Sequence, residues 1–145
     1  MQTSRQAYRS EEELVDALLS ALRAEHAPWG ELTLAQEFAY ESGRTDIIGV
    51  DTHGNVVAFE AKLTRWRDAL QQAYRNTSFA HLSYVVVPEE TAQRAERSSH
   101  EFHRRSVGLC YLSQGCLVVP VRAVRQDPVA PWLSSVARAH VSEGT

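Results

Sequence analysis

The sequence predicts an α/β (α+β) fold in which helices flank a mixed sheet, and three patterns carry that prediction. Apolar residues repeat at helical spacing near the N-terminus, alternate at strand spacing beyond it, and return to helical spacing after Lys62. A dense β-branched run, Leu82 to Val87, then closes on Pro88, as a buried central strand does. The resulting order is α-βββ-α-β, extended by a short β-hairpin and a C-terminal helix.

Ser10-Glu11-Glu12-Glu13 has the form of a capping box, and Leu14, Val15, Leu18, Leu19 and Leu22 mark one apolar helix face behind it. This helix is expected to fade near His26, before Pro28 and Gly30. From Leu32 to Tyr40 alternation sets in, with Leu32, Leu34, Phe38 and Tyr40 expected on one face and Gln36 breaking the series. Asp46-Ile47-Ile48-Gly49-Val50 and Val56 to Lys62 flank a tight turn, Asp51 to Asn55, so three strands form an antiparallel meander. Trp66, Ala69, Leu70, Ala73 and Tyr74 form the apolar stripe of a second helix, with Trp66, Leu70 and Tyr74 in its core. One polar helix is expected from Glu89 to about His103. Strands at Gly108–Leu112 and Cys116–Val121 follow, and then a terminal helix from Trp132 to His140.

The 145 residues suit one domain, 1–145, with a core at about 10–88 and an extension at 89–145. The apolar runs are too short for a membrane span, and the N-terminus lacks the apolar stretch of a signal peptide, so the expected location is cytoplasmic. Cys110 and Cys116 are read as buried free thiols, because zinc-site partners are absent. The net charge of -3 argues against strong unaided binding to nucleic acid, since phosphate neutralisation supplies most non-specific affinity. Local arginine clusters (Arg65 and Arg67, Arg75, Arg94 and Arg97, Arg104 and Arg105) still allow one basic face. His100 and His103 lack a third ligand and are read as surface residues.

The chemistry concentrates around the turn at Gly54. Strands joined by a tight turn run antiparallel, so Asp46, at the start of one, should meet Glu60 and Lys62, near the end of the other. Residues two apart share a strand face, which puts Glu60 and Lys62 opposite Phe59 and Ala61. Their neighbours Ile48, Val50, Val56 and Ala58 are apolar, and unpaired charge is costly on such a surface. A cross-strand salt-bridge set is the structural alternative. Two carboxylates held close favour a cation between them, and oxygen ligands suit Mg²⁺ or Mn²⁺. A lysine beside the metal can position water and offset charge growing on a phosphate. Glu37, near the hairpin, is a candidate for a further acidic ligand.

Asp46, thirteen intervening residues and Glu60-Ala61-Lys62 resemble the motif of the PD-(D/E)XK nuclease superfamily, which includes restriction endonucleases, Holliday-junction resolvases and RecB-type nuclease domains. The likeness covers roughly Ser10 to Pro88 and is closest to small stand-alone bacterial members, which carry a tryptophan and a glutamine soon after the lysine, as Trp66, Gln71 and Gln72 stand here. Thr45 replaces the usual proline. The resemblance implies a restriction-endonuclease-like core and an Mg²⁺-dependent (or Mn²⁺-dependent) nuclease acting on DNA rather than RNA. Asp46, Glu60 and the Ala61 carbonyl would bind the metal, and Lys62 would orient water. Glu13, from the first helix, would complete the ligand set, although its place in the capping box explains it equally well. Gln72 would contact the phosphate. Binding energy would come from a homodimer or from a larger protein complex. The rival readings are a catalytically silent subunit of a DNA-processing or defence complex on the same fold, and an interaction protein with a plain salt-bridge cluster.

Overall fold

In the computed structural model, which describes residues 7–24 and 28–144, the elements follow the predicted order. Helix α1 spans Glu11–Arg23, with its N-terminus capped where the Ser10 hydroxyl accepts from the Glu13 N–H at 3.1 Å. Strands β1 (Thr33–Tyr40), β2 (Gly43–Val50) and β3 (Val56–Ala61) come next, then α2 (Trp66–Asn76) and β4 (Leu82–Val86). Helices α3 (Glu89–Glu96) and α4 (Ser99–Arg105), strands β5 (Gly108–Ser113) and β6 (Cys116–Val121), and α5 (Pro131–Glu143) complete the chain. Among the described residues no helix is long and apolar enough to cross a membrane.

The six strands lie side by side in chain order. β1, β2 and β3 form the predicted meander, β3, β4 and β5 run parallel, and β6 returns antiparallel. Alternation along the central strands divides the core. Ile47, Val57, Phe59, Tyr84 and Val86 pack against Leu14, Leu18 and Leu22 of α1. On the other face Val85, Val87 and Leu109 pack against α2, α3 and α4, while Ile48, Val56 and Ala58 pack against Phe79 and α5. One helix therefore covers one face and four cover the other, an α+β sandwich with a mixed sheet.

Five expectations need correction. α1 ends at Arg23 with Ala24 as its cap, and the residues around His26 lie outside the described ones. Leu32, just before β1, and Leu34 join the α1 side, but Phe38 and Tyr40 join the α5 side. The switch occurs at Glu37, whose left-handed φ of 55° breaks the two-residue alternation. The single helix expected at 89–103 is two, with the break at Arg97-Ser98, where Ser98 leaves helical geometry at a ψ of 34°. Tyr74 is 53% exposed, because the buried stripe of α2 runs from Ala73 to Asn76 instead. Cys110 is buried as expected, but Cys116 is exposed, and both are free.

One buried polar side chain ties the sheet's start together. His81 Nδ1 accepts from the Val56 N–H at 2.9 Å, and the His81 N–H donates to the Val56 carbonyl at 2.8 Å. The ring is therefore neutral, and burial, followed by the charges of Arg125 and Arg138, holds its pKa below 6.5. The unfolded chain takes up this proton more readily than the folded one, so this contribution to stability is complete above about pH 6.5 and is lost as pH falls. The melting temperature should fall between about pH 7.5 and about pH 5.5. His81→Asn, which keeps an acceptor but does not titrate, should flatten that profile in thermal scans. Parallel profiles for the two proteins would exclude His81 as the source.

Candidate functional site

The β2–β3 ladder runs from Val50↔Val56 to Ile47↔Phe59 and then yields to a side chain. Asp46 Oδ2 accepts from the Ala61 N–H at 2.8 Å, so a carboxylate takes the place of a backbone acceptor at the end of the ladder. Phe59 and Ala61 face α1, as their parity requires, and Glu60 turns toward α2, where it is 1% exposed. Asn76 meets it there, its Nδ2 donating to Glu60 Oε1 at 3.0 Å. The Asn76 carbonyl oxygen accepts from the Tyr40 hydroxyl at 2.7 Å and the Thr45 hydroxyl at 2.9 Å. Two hydroxyl donors and one carboxyl acceptor fix which way the amide faces.

The predicted meeting of Asp46 with Glu60 thus occurs, with the two carboxyl groups close enough for each to act on the other's charge. Burial, then the Asp46 charge, pushes the Glu60 carboxyl up to about 8, against the opposing pull of Asn76 and Lys62. Two carboxylates in contact cannot both stay ionised without a proton or a cation between them. Burial, then the Glu60 charge, pushes Tyr40 up to about 12, so its hydroxyl remains a donor to Asn76.

Asp46 also lines a pocket of about 550 Å³ with Glu11, Glu12, Asp16, Gln36 and Glu37. Glu37 lies across the β1–β2 pair from Asp46, at the left-handed residue where β1 changes faces. Lys62 follows β3 directly, and its Nζ lies 3.8 Å from Glu11 on α1. A half-exposed pair of this kind contributes little to stability. Glu13 stays in the cap beside Tyr8, so the acidic residues that α1 turns toward Asp46 are Glu11, Glu12 and Asp16. Gln72 is half-buried, and the α2 residue that reaches the carboxyl pair is Asn76, one turn further on.

Among the described residues no three His, Cys, Asp or Glu side chains converge closely enough to form a metal cage. Mg²⁺ does not require one, since it commonly takes one or two carboxylates and keeps several waters. Asp46 and Glu60 fit that requirement. Each has one oxygen anchored, by the Ala61 N–H and by Asn76 respectively, and each carboxyl group meets the other. The Ala61 carbonyl belongs to the same run of backbone.

No family model matches the chain, and no curated protein matches it. Among solved structures, a protein of unknown function from Silicibacter pomeroyi superposes with a TM-score of 0.70. The match covers 96% of this chain and 88% of the other, at 16% sequence identity. The likeness is one of fold, shared over nearly the whole length of both proteins.

Asn76 had no sequence signal beyond its place three residues after Ala73 on the buried stripe of α2. Replacing it with leucine removes the partner of a buried carboxyl and of two hydroxyls. Urea denaturation of Asn76→Leu should show a loss of about 2 to 4 kcal/mol, since stranded buried polar groups cost about 1–3 kcal/mol each and can partly relax. Near-wild-type stability would show that the network is not under tension from burial.

Proposed function

We propose that the chain is a metal-dependent nuclease of the PD-(D/E)XK type that hydrolyses phosphodiester bonds in DNA. The reading rests above all on the contact between Asp46 and the buried Glu60 at the end of the β2–β3 ladder, with Lys62 two residues beyond Glu60. A salt-bridge cluster would have little reason to bury one acid against another on an otherwise apolar sheet face.

Asp46, Glu60 and the Ala61 carbonyl would hold Mg²⁺ or Mn²⁺, which when bound supplies a Lewis acid and a more acidic water. Asn76 keeps the Glu60 carboxyl in one orientation, which limits reorganisation on binding. The Lys62 ammonium, near Glu11 at the pocket, would orient the attacking water and offset charge on the phosphate. Water oxygen attacks phosphorus, the ester P–O bond breaks, and the departing oxygen gains a proton. Glu11, Glu12, Asp16 and Glu37 favour a cation in the pocket and oppose an approaching polyanion. That acidic lining, with the net charge of -3, is also what favours the second reading, a silent nuclease-fold subunit whose DNA contacts come from a partner or a second copy.

The test is cleavage of plasmid, linear duplex, single-stranded and branched DNA with Mg²⁺ or Mn²⁺, beside EDTA and Lys62→Ala. Metal-dependent cutting, reduced by about a hundredfold or more in Lys62→Ala, is expected if the lysine stabilises charge in the transition state. Mn²⁺ binding by calorimetry without cutting would favour the silent subunit. Neither binding nor cutting would overturn both metal-based readings.

A further inference from the structure

A second concave surface lies where α2 and α4 end, and its chemistry is opposite to that of the Asp46 pocket. It encloses about 460 Å³ and is lined by Tyr74, Arg75, Arg104, Arg105, Asp127 and Val129, among others. Three guanidinium groups face one carboxylate, and that carboxylate, Asp127, pairs with Arg125 at 3.2 Å. Arg105 donates to the Glu101 carbonyl at 2.9 Å, but the Arg75 and Arg104 side chains have no hydrogen bond or ion pair among the described residues. In a chain of net charge -3, such a concentration of positive charge is a local excess.

The walls of this groove are held by hydrogen bonds, two of them between backbone groups. The Ala130 N–H donates to the Ser78 carbonyl at 2.9 Å, which ties the segment before α5 to the end of α2. The Val124 N–H donates to the Ser106 carbonyl at 3.1 Å, and Gln126 Nε2 donates to the Ser106 hydroxyl at 3.2 Å, which ties that segment to the end of α4. Tyr74 stands at the rim, 53% exposed, on the solvent side of α2 with Gln71 and Arg75. Arg75 connects the groove to the carboxyl network, because its charge acts on the Tyr40 hydroxyl that donates to Asn76.

We propose that this groove binds a single strand of nucleic acid, with Arg75 and Arg104 on its phosphates and a base stacked on Tyr74. Free guanidiniums beside an exposed aromatic ring are the combination that single strands select: cations follow the backbone, and the ring accepts any base. Duplex DNA withholds its bases from such a ring. The arginines also stand in the last turns of α2 and α4, where they offset the helix carbonyl ends, a duty that leaves Tyr74 unexplained. The groove shares no lining residue with the acidic pocket, and it would supply the nuclease reading with the phosphate contacts that this pocket withholds.

Fluorescence anisotropy of a labelled oligothymidylate, measured in EDTA so that neither metal binding nor cleavage enters, tests the groove separately from the nuclease reading. The wild-type protein should bind the single strand more tightly than a duplex of the same length, with affinity falling as salt rises. Arg75→Glu/Arg104→Glu should weaken binding by about tenfold or more, and Tyr74→Ala by about fivefold or more. Arg9→Glu/Arg97→Glu, two exposed changes outside the groove, matches the net charge of the double variant and should bind much as wild type does. Circular dichroism confirms that each variant is folded. No binding by wild type, equal affinity for duplex, or groove variants that bind no more weakly than Arg9→Glu/Arg97→Glu would each overturn the proposal.

Discussion

The structure turns on a carboxyl group placed where carboxyl groups are expensive. Glu60 lies in a central strand, 1% exposed, with Ala58 and Val56 before it on the same sheet face. An unpaired carboxylate there would cost several kcal/mol, so the surrounding chain is arranged to answer it. α2 ends on Asn76 so that an amide arrives opposite Glu60, and Tyr40 and Thr45 supply the donors that orient the amide. Asp46 closes the remaining side while its other engagement, with the Ala61 N–H, holds β2 against β3 beyond the end of their ladder. Thr45 is therefore a working member of the network.

Much of this was legible in the sequence because it depends on parity and on one turn. The tight turn at Gly54 sets β2 antiparallel to β3, and two-residue alternation then brings Asp46 to Glu60 and turns Phe59 and Ala61 toward α1. The dense run from Leu82 likewise identified a central strand, since parallel strands covered on both faces have no polar side. These are local rules, and they hold wherever backbone geometry is regular.

What was not legible depends on irregular backbone or on how elements approach one another. Nothing in Gln36-Glu37-Phe38 announces that a glutamate adopts the left-handed region, yet that residue transfers β1 from one core to the other. Periodicity assigned Tyr74 to the stripe of α2, which instead continues from Ala73 to Asn76, and no sequence pattern announces that this amide meets Glu60. The same limit applies to α1. Glu11, Glu12 and Asp16 line the pocket beside Asp46, whereas Glu13 remains at the cap, a distinction set by helix rotation rather than by sequence order.

The hydrogen bonds of the carboxyl network all close within one stretch of chain, from Tyr40 to Asn76. Their spans are modest, 15 residues for Asp46 to Ala61, 16 for Glu60 to Asn76, and 31 and 36 for Thr45 and Tyr40 to Asn76. Little loop entropy opposes their formation, so a hairpin and the following helix can assemble this constellation before the distant strands β5 and β6 dock. In evolutionary terms the network behaves as a cassette: insertions or replacements after β4 can reshape the outer edge of the sheet without disturbing any of its bonds.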